Sequence, residues 1–159
     1  MEIQIRAVTQ KDRSTVAGLL SELWGSEIIV SRGKVYHAAN LPGFLAWVDG
    51  QIKGMITYHI ENDQCEIVTL DSMLENCGIG SALVDSVVQK ARTAGCRRVW
   101  LITTNDNIHA IRFYQRRGFD MAALHRNAIE ESRKIKPQIP LKGLDDIPIR
   151  HEIEFELCL

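Results

Sequence analysis

The sequence predicts a mixed α/β fold, a central and mostly antiparallel sheet with helices on both faces. Three observations carry this. Strand-like alternation opens and closes the chain, at residues 2–8 and 149–157. A meander of short strands occupies the middle and pivots on Asp49-Gly50. Between the meander and the last strand, the apolar period switches twice to helical spacing, in residues 83–94 and 107–117.

The elements follow in order. Ile3, Ile5 and Ala7 alternate with polar residues and predict a first strand. Thr9-Gln10-Lys11-Asp12 starts a helix, with Thr9 as the cap and Asp12 at the third position. Val16, Leu19, Leu20, Leu23 and Trp24 give that helix one apolar face. From Gly25 to Pro42 only Ile28-Ile29-Val30 reads as a strand, among the polar groups Arg32, Lys34, Tyr36 and His37. Residues 44–49 and 52–60 are strands joined by Asp49-Gly50, a two-residue hairpin turn. Glu61-Asn62-Asp63 turns the chain into a third strand, Cys65 to Leu70. Leu83, Val84, Val87, Val88, Ala91 and Ala94 fit a helix that Gly95 ends. Arg98 to Thr103 is an apolar strand, Asn107 to Arg117 a helix closed by Gly118, and residues 119–124 another strand. Residues 125–148 form a polar excursion with Pro137, Pro140, Gly143 and Pro148 and one short helix. The last strand alternates Ile149, His151, Ile153, Phe155 and Leu157 with Arg150, Glu152, Glu154 and Glu156. It closes the sheet, with its charged side expected to be wet.

Bulk properties bound the function. A chain of 159 residues is about one domain's length, and residues 1–159 are expected to form one domain. With 45% apolar and 25% charged residues the whole chain is not disordered. A net charge of -1 gives no global basic field for nucleic acid, so any electrostatic function is local. No signal peptide core opens the chain, and no apolar run approaches the roughly 20 residues that span a bilayer. Cys65, Cys77, Cys96 and Cys158 form no CxxC. They read as reduced thiols of a cytoplasmic protein, with no metal expected. A monomer or a modest dimer is expected.

The central signal is Glu75-Asn76-Cys77-Gly78-Ile79-Gly80-Ser81-Ala82-Leu83, between a strand and a helix. Two glycines one residue apart let the backbone turn tightly and approach a ligand. The first helical turn offers unpaired N–H groups and the positive end of the dipole, which suit a pyrophosphate. A P-loop would need Gly-Lys-Ser/Thr after four spacers, and none occurs. A dinucleotide fold needs a third small residue where Leu83 stands. It also wants an acidic residue at the end of the next strand, where Ile102-Thr103-Thr104 stand. NAD binding is disfavoured.

About 25 residues on comes Asn105-Asp106-Asn107-Ile108-His109-Ala110-Ile111-Arg112-Phe113-Tyr114-Gln115-Arg116-Arg117-Gly118-Phe119. Asn107 is a natural helix cap. Ala110 is small where a ligand could lie close, and Tyr114 follows Asn107 by two helical turns. The segment from Cys77 to Leu83 resembles the pyrophosphate loop of the GNAT N-acetyltransferase superfamily. Asn107-x-x-Ala110-x-x-x-Tyr114-x-x-x-Gly118-Phe119 resembles that family's second coenzyme A motif. The resemblance spans residues 3–124 as a pattern of elements and is most specific over 65–119.

The resemblance implies a GNAT-like fold and transfer of an acetyl group from acetyl-CoA to a small-molecule amine. It implies that the main chain of Leu70 and Asp71 holds the acyl and pantetheine arm. The amides of Asn76, Cys77, Gly78, Ile79, Gly80 and Ser81 would hold the pyrophosphate, and Asn107 would contact the pantetheine region. Tyr114 would protonate the departing thiolate. Glu75 stands where the family usually has Gln or Arg, and a carboxylate beside a pyrophosphate is repulsive unless it points to solvent.

A free alkylamine has a pKa near 10, so a base or a proton wire must help. Glu66 is the first candidate; Asp71, His59 and Glu61 are the others. His37, His109 and His125 read as surface or packing residues. Arg112, Arg116 and Arg117 read as a solvated face that could also reach a phosphate. Acceptor specificity is expected in residues 24–42 and 125–148. The competing reading is a non-catalytic coenzyme A-binding or protein-interaction module on the same fold; the presence of Tyr114 favours an enzyme.

Overall fold

The computed structural model describes residues 1–159. Strand β1 (Gln4–Ala7) leads through a 3-10 turn at Gln10–Asp12 into helix α1 (Arg13–Trp24). The start is capped as its sequence predicts: the Thr9 N–H donates to Asp12 Oδ2 at 2.8 Å. Helix α1 buries Val16 and Leu20 and ends at Gly25, whose φ of 70° needs no Cβ. Leu23 and Trp24, expected on the buried face, are exposed. The stretch to Pro42 holds two strands where the sequence reading found one. β2 (Ile28–Ser31) and β3 (Lys34–His37) form a two-stranded hairpin that turns on Arg32-Gly33, both at positive φ.

The meander is β4 (Gly43–Val48), β5 (Gln51–Glu61) and β6 (Gln64–Ser72). Asp49 and Gly50 have φ of 50° and 75°, the signature of the predicted hairpin turn. The strands lie in the order β1-β4-β5-β6, all antiparallel. Helix α2 (Ile79–Thr93) packs across all four and buries Ile79, Leu83, Val84, Val87 and Ala91. Every residue from Gly54 to Tyr58 is buried, so this part of β5 is covered on both faces. The close approach of α2 depends on Gly54. A Cβ there would stand 2.5 Å from Ile79 Cγ2 and 3.0 Å from Leu83 Cδ1.

The chain divides into two compact units. One comprises Met1–Ile29, His37–Val99 and Leu159, the other Val30–Tyr36 and Trp100–Cys158. The second unit contains most of β7 (Arg98–Thr104), then α3 (Ile108–Arg116), β8 (Asp120–His125), α4 (Ala128–Ile135) and β9 (Glu152–Cys158). The excursion therefore holds α4 and a short 3-10 turn at Leu144–Asp146. Phe155, Tyr114, Phe119, Ile129 and Ile149 are buried in this unit.

The strand order here is β7-β9-β8, and β8 and β9 are antiparallel with His125 opposite Glu152. The last strand thus inserts between two earlier ones and does not sit at the rim. Its charged side is also not the wet face that alternation suggested, as the burial of its residues shows. Glu152 is 2% exposed, and Glu154 and Glu156 are half-buried. The whole is the expected mixed α/β fold with mostly antiparallel strands and packed helices.

Candidate active site

The glycine loop joins β6 to α2. Ser72 Oγ donates to the Leu74 carbonyl at 2.8 Å, and the Met73 N–H donates to the Lys53 carbonyl at 2.9 Å. Asn76 and Gly78 take the left-handed conformation, with φ of 56° and 81°. Gly78 is the N-cap of α2, and its carbonyl accepts the Ala82 N–H at 3.0 Å. No side chain caps this helix. An α-helix leaves its first four N–H groups without partners inside the helix, at the positive end of its dipole. With glycine at the cap, those of Ile79 and Gly80 are offered to an anion. Glu75 is exposed, so its carboxylate sits in solvent.

Asp71, at the end of β6, pairs in register with Met55, and Leu70 with Ile56. Asp71 Oδ2 accepts a hydrogen bond from Trp24 Nε1 at 2.9 Å, which ties the last residue of α1 to this strand. Burial pushes the Asp71 carboxyl above its ordinary range, and the indole bond only partly offsets that. A register shift against Thr57/Tyr58 leaves Val68 as an extra residue in β6, a bulge that sequence reasoning missed. Beside it the hydroxyls of Thr57 and Thr69 share a buried hydrogen bond of 2.7 Å.

Glu66 lies before the bulge, 3% exposed and opposite His59. It stands five positions before Asp71, roughly 16 Å of extended chain. His59 contacts Glu61 at 3.3 Å near the outer end of the hairpin. Cys65 is buried beside Glu66; burial first, then the charges of Cys96 and Glu66, push its thiol up to about 12.

In the second unit, Asn107 caps α3 as expected: its Oδ1 accepts the Ala110 N–H at 3.1 Å. Tyr114 is 5% exposed, among Phe113, Phe119 and Phe155 at ring distances of 5.0, 5.3 and 6.3 Å. The two residues before the cap work as anchors, a role sequence reasoning did not find. Asn105 Oδ1 accepts the N–H groups of Arg150 and His151, both at 2.9 Å, and its Nδ2 donates to the Pro148 carbonyl at 2.9 Å. Asp106 is buried; it accepts from the Thr104 hydroxyl and, at 3.3 Å, from the Leu144 N–H. Gly143 lies so close that a Cβ there would fall 1.8 Å from Asp106 Oδ2. The excursion is thereby fastened to the start of α3.

The family model described as "Acetyltransferase (GNAT) family" matches residues 17–119. The chain belongs to the GNAT acetyltransferase family. It is 49% identical over 134 residues to the uncharacterized protein YdhI of Bacillus subtilis (strain 168), which covers 83% of each chain. It is 27% identical over 136 residues to the spermine/spermidine N(1)-acetyltransferase of the same strain, covering 75% of this chain and 88% of that one. Among solved structures, a Bacillus subtilis acetyltransferase in complex with CoA superposes with a TM-score of 0.70 at 18% identity, covering 99% of each chain.

On this GNAT fold the remaining candidates separate. His37 and His109 are exposed, while His125 contacts Glu154 at 3.1 Å. Arg112 and Arg116 are exposed. Arg117 lies over the Phe113 ring at 3.9 Å and donates to the Phe113 carbonyl at 3.2 Å, which makes it a packing residue. Trp24 and Asn105 had no local signal: an indole at a helix end and an asparagine before a cap acquire meaning only from partners 47 and 43 residues away.

Proposed function

We propose that this GNAT-family chain transfers an acetyl group from acetyl-CoA to a primary amine of a small molecule, all of residues 1–159 serving as one acetyltransferase domain. The observation that carries the reading is the start of α2, where glycine replaces a capping side chain and leaves first-turn N–H groups for an anion. The amides from Asn76 to Ser81 receive the pyrophosphate. The main chain of Leu70 and Asp71 aligns the acyl arm. Asn107 and the small Ala110 receive the pantetheine region. The relative named for spermine and spermidine supports amines as acceptors, and the CoA-bound neighbour supports the donor.

The amine nitrogen bonds to the thioester carbonyl carbon as the carbon–sulfur bond breaks. Tyr114 gives its hydroxyl proton to the sulfur, since a phenol is protonated at neutral pH. The acceptor's ammonium first gives one proton to a carboxylate, so that a neutral nitrogen attacks, and the second proton, lost as the amide forms, returns to the Tyr114 oxygen. Asp71 suits the first transfer better than Glu66: it stands at the strand end that bears Leu70, and burial raises its basicity. Glu66 lies back along the strand in a fully buried setting.

A second reading, a coenzyme A-binding module without catalysis, is favoured by one observation. The Tyr114 ring is packed on several sides by phenylalanines, as a core residue would be. No helix is long and apolar enough to cross a membrane, and four free cysteines suit a reducing cytoplasm. The deciding experiment is a panel of amines with acetyl-CoA, read as release of free thiol. Release that depends on the amine supports the enzyme. Tight acetyl-CoA binding with no release from any amine supports the module.

A further inference from the structure

Strand β9 places Glu152, Glu154 and Glu156 on one face and Ile153, Phe155 and Leu157 on the other. Glu152 on the acidic face is 2% exposed, and Glu154 and Glu156 are half-buried. Glu154 has its partner in His125, at 3.1 Å. Glu152 is different. Its Oε2 accepts the Arg32 N–H at 3.3 Å, while its Oε1 is buried and has no hydrogen-bond partner. The Arg32 Nη1 stands 3.6 Å from that oxygen, beyond hydrogen-bond reach. Arg32 itself is 42% exposed, at the turn of the β2–β3 hairpin with φ of 49°.

A buried carboxylate oxygen left unpaired costs stability, and an apolar residue of similar size would serve the fold as well or better. The arrangement is that of a cation site held half-closed by a mobile-length side chain reaching in from solvent. We propose that Glu152 is an ammonium-binding residue for the acceptor, and that Arg32 is the resident cation which the acceptor's ammonium replaces. This rests on the acetyltransferase reading above.

Position and chemistry both bear on which nitrogen is held. Asn105 fixes Arg150 and His151, immediately before Glu152, to the segment that leads into the Asn107 cap. Glu152 thus follows directly, along the chain, the two residues anchored to the segment that precedes the Asn107 cap. A carboxylate next to an ammonium favours its charged form. The nitrogen that attacks a thioester must be neutral. Glu152 thus holds a second, non-reacting ammonium. The acceptor class that follows is a diamine or polyamine, or an amine with another fixed cation.

The test compares spermidine with n-butylamine as acceptors at saturating acetyl-CoA, in the wild-type chain, Glu152→Gln and Arg32→Ala. Glu152→Gln keeps the shape and removes the charge. It should lower the ratio of kcat/KM for spermidine over n-butylamine by roughly 10-fold, the worth of one charge-assisted contact. Arg32→Ala should raise that ratio, because the competing cation is gone. An unchanged ratio in both variants overturns the proposal even though acetyl transfer stands. Should the wild type acetylate neither amine, the proposed activity fails, and calorimetric titration of spermidine alone decides the site. Saturable binding that Glu152→Gln abolishes supports it; no binding, or binding indifferent to the variant, overturns it. Thermal melting of each variant checks that it is folded.

Discussion

We read the loop that opens α2 and the buried Glu152 beside Arg32 as two charge-binding arrangements, built in opposite ways. At the loop the backbone supplies the polar groups, and glycine's contribution is the absence of a side chain. All the parts lie within a few residues of one another. At Glu152 a side chain supplies the charge, and its partner Arg32 is 120 residues away along the sequence. The first tolerates changes of side chain as long as they leave the backbone open. The second fails with one functional group. Backbone sites follow from local sequence, whereas side-chain sites follow from topology.

Substitutions can break or sharpen this contrast. The largest effect is expected from Gly80→Val, which puts a branched side chain where a phosphate meets the backbone. Each lost hydrogen bond to a charged group is worth about 1.5–3 kcal/mol, so acetyl-CoA affinity should fall by roughly 10²-fold or more. Calorimetry on a folded variant checks it, and a normal affinity would refute the backbone site. Tyr114→Phe removes one oxygen from a well-packed ring. If the hydroxyl is the general acid, turnover falls by roughly 10²-fold with donor affinity nearly unchanged. Unchanged turnover returns Tyr114 to packing and strengthens the module reading.

Gly143→Ala tests the long-range side of the contrast. The added methyl would meet Asp106, which Thr104 and Leu144 hold in place, and should cost about 1–3 kcal/mol by urea denaturation. A midpoint within error of wild type would show that the excursion is not fastened there. The smallest effect concerns Asp71. Its raised folded pKa means that the folded state binds the proton more tightly than the unfolded state does. The stability this contributes is present below the unfolded value and is lost as pH rises through the folded value. Asp71→Asn keeps an acceptor for Trp24 and carries no charge. It should be slightly more stable than wild type at pH 7, with the gap closing toward pH 4. A gap that widens on acidification would contradict the raised pKa.

The same contrast explains what was legible from sequence. Asp49-Gly50, Gly95 and Gly118 were readable because a positive φ or a helix end is a property of one or two residues. The glycine loop and the Asn107 cap were readable for the same reason, being local backbone chemistry. The position of β9 was not. Alternation reveals a strand's period but neither its neighbours nor what packs on its faces, and Glu152, Glu154 and Glu156 look like a solvated face although Glu152 is buried and the other two are half-buried. The second strand of the hairpin at 28–37 escaped because Lys34-Val35-Tyr36-His37 carries little apolar signal. The bulge at Val68 escaped because nothing in its sequence distinguishes it from regular strand.

The four thiols have a practical consequence for any measurement that counts liberated sulfhydryl. Cys65 and Cys96 are buried, and burial holds both in the unreactive protonated form. They are silent to a colorimetric disulfide reagent while the chain stays folded. Cys158 is exposed, and Cys77 is half-exposed within the glycine loop. These two set a stoichiometric background against which product thiol is read. That background is itself a gauge: a donor seated on the loop should shade Cys77 and leave Cys158 reacting at its usual rate.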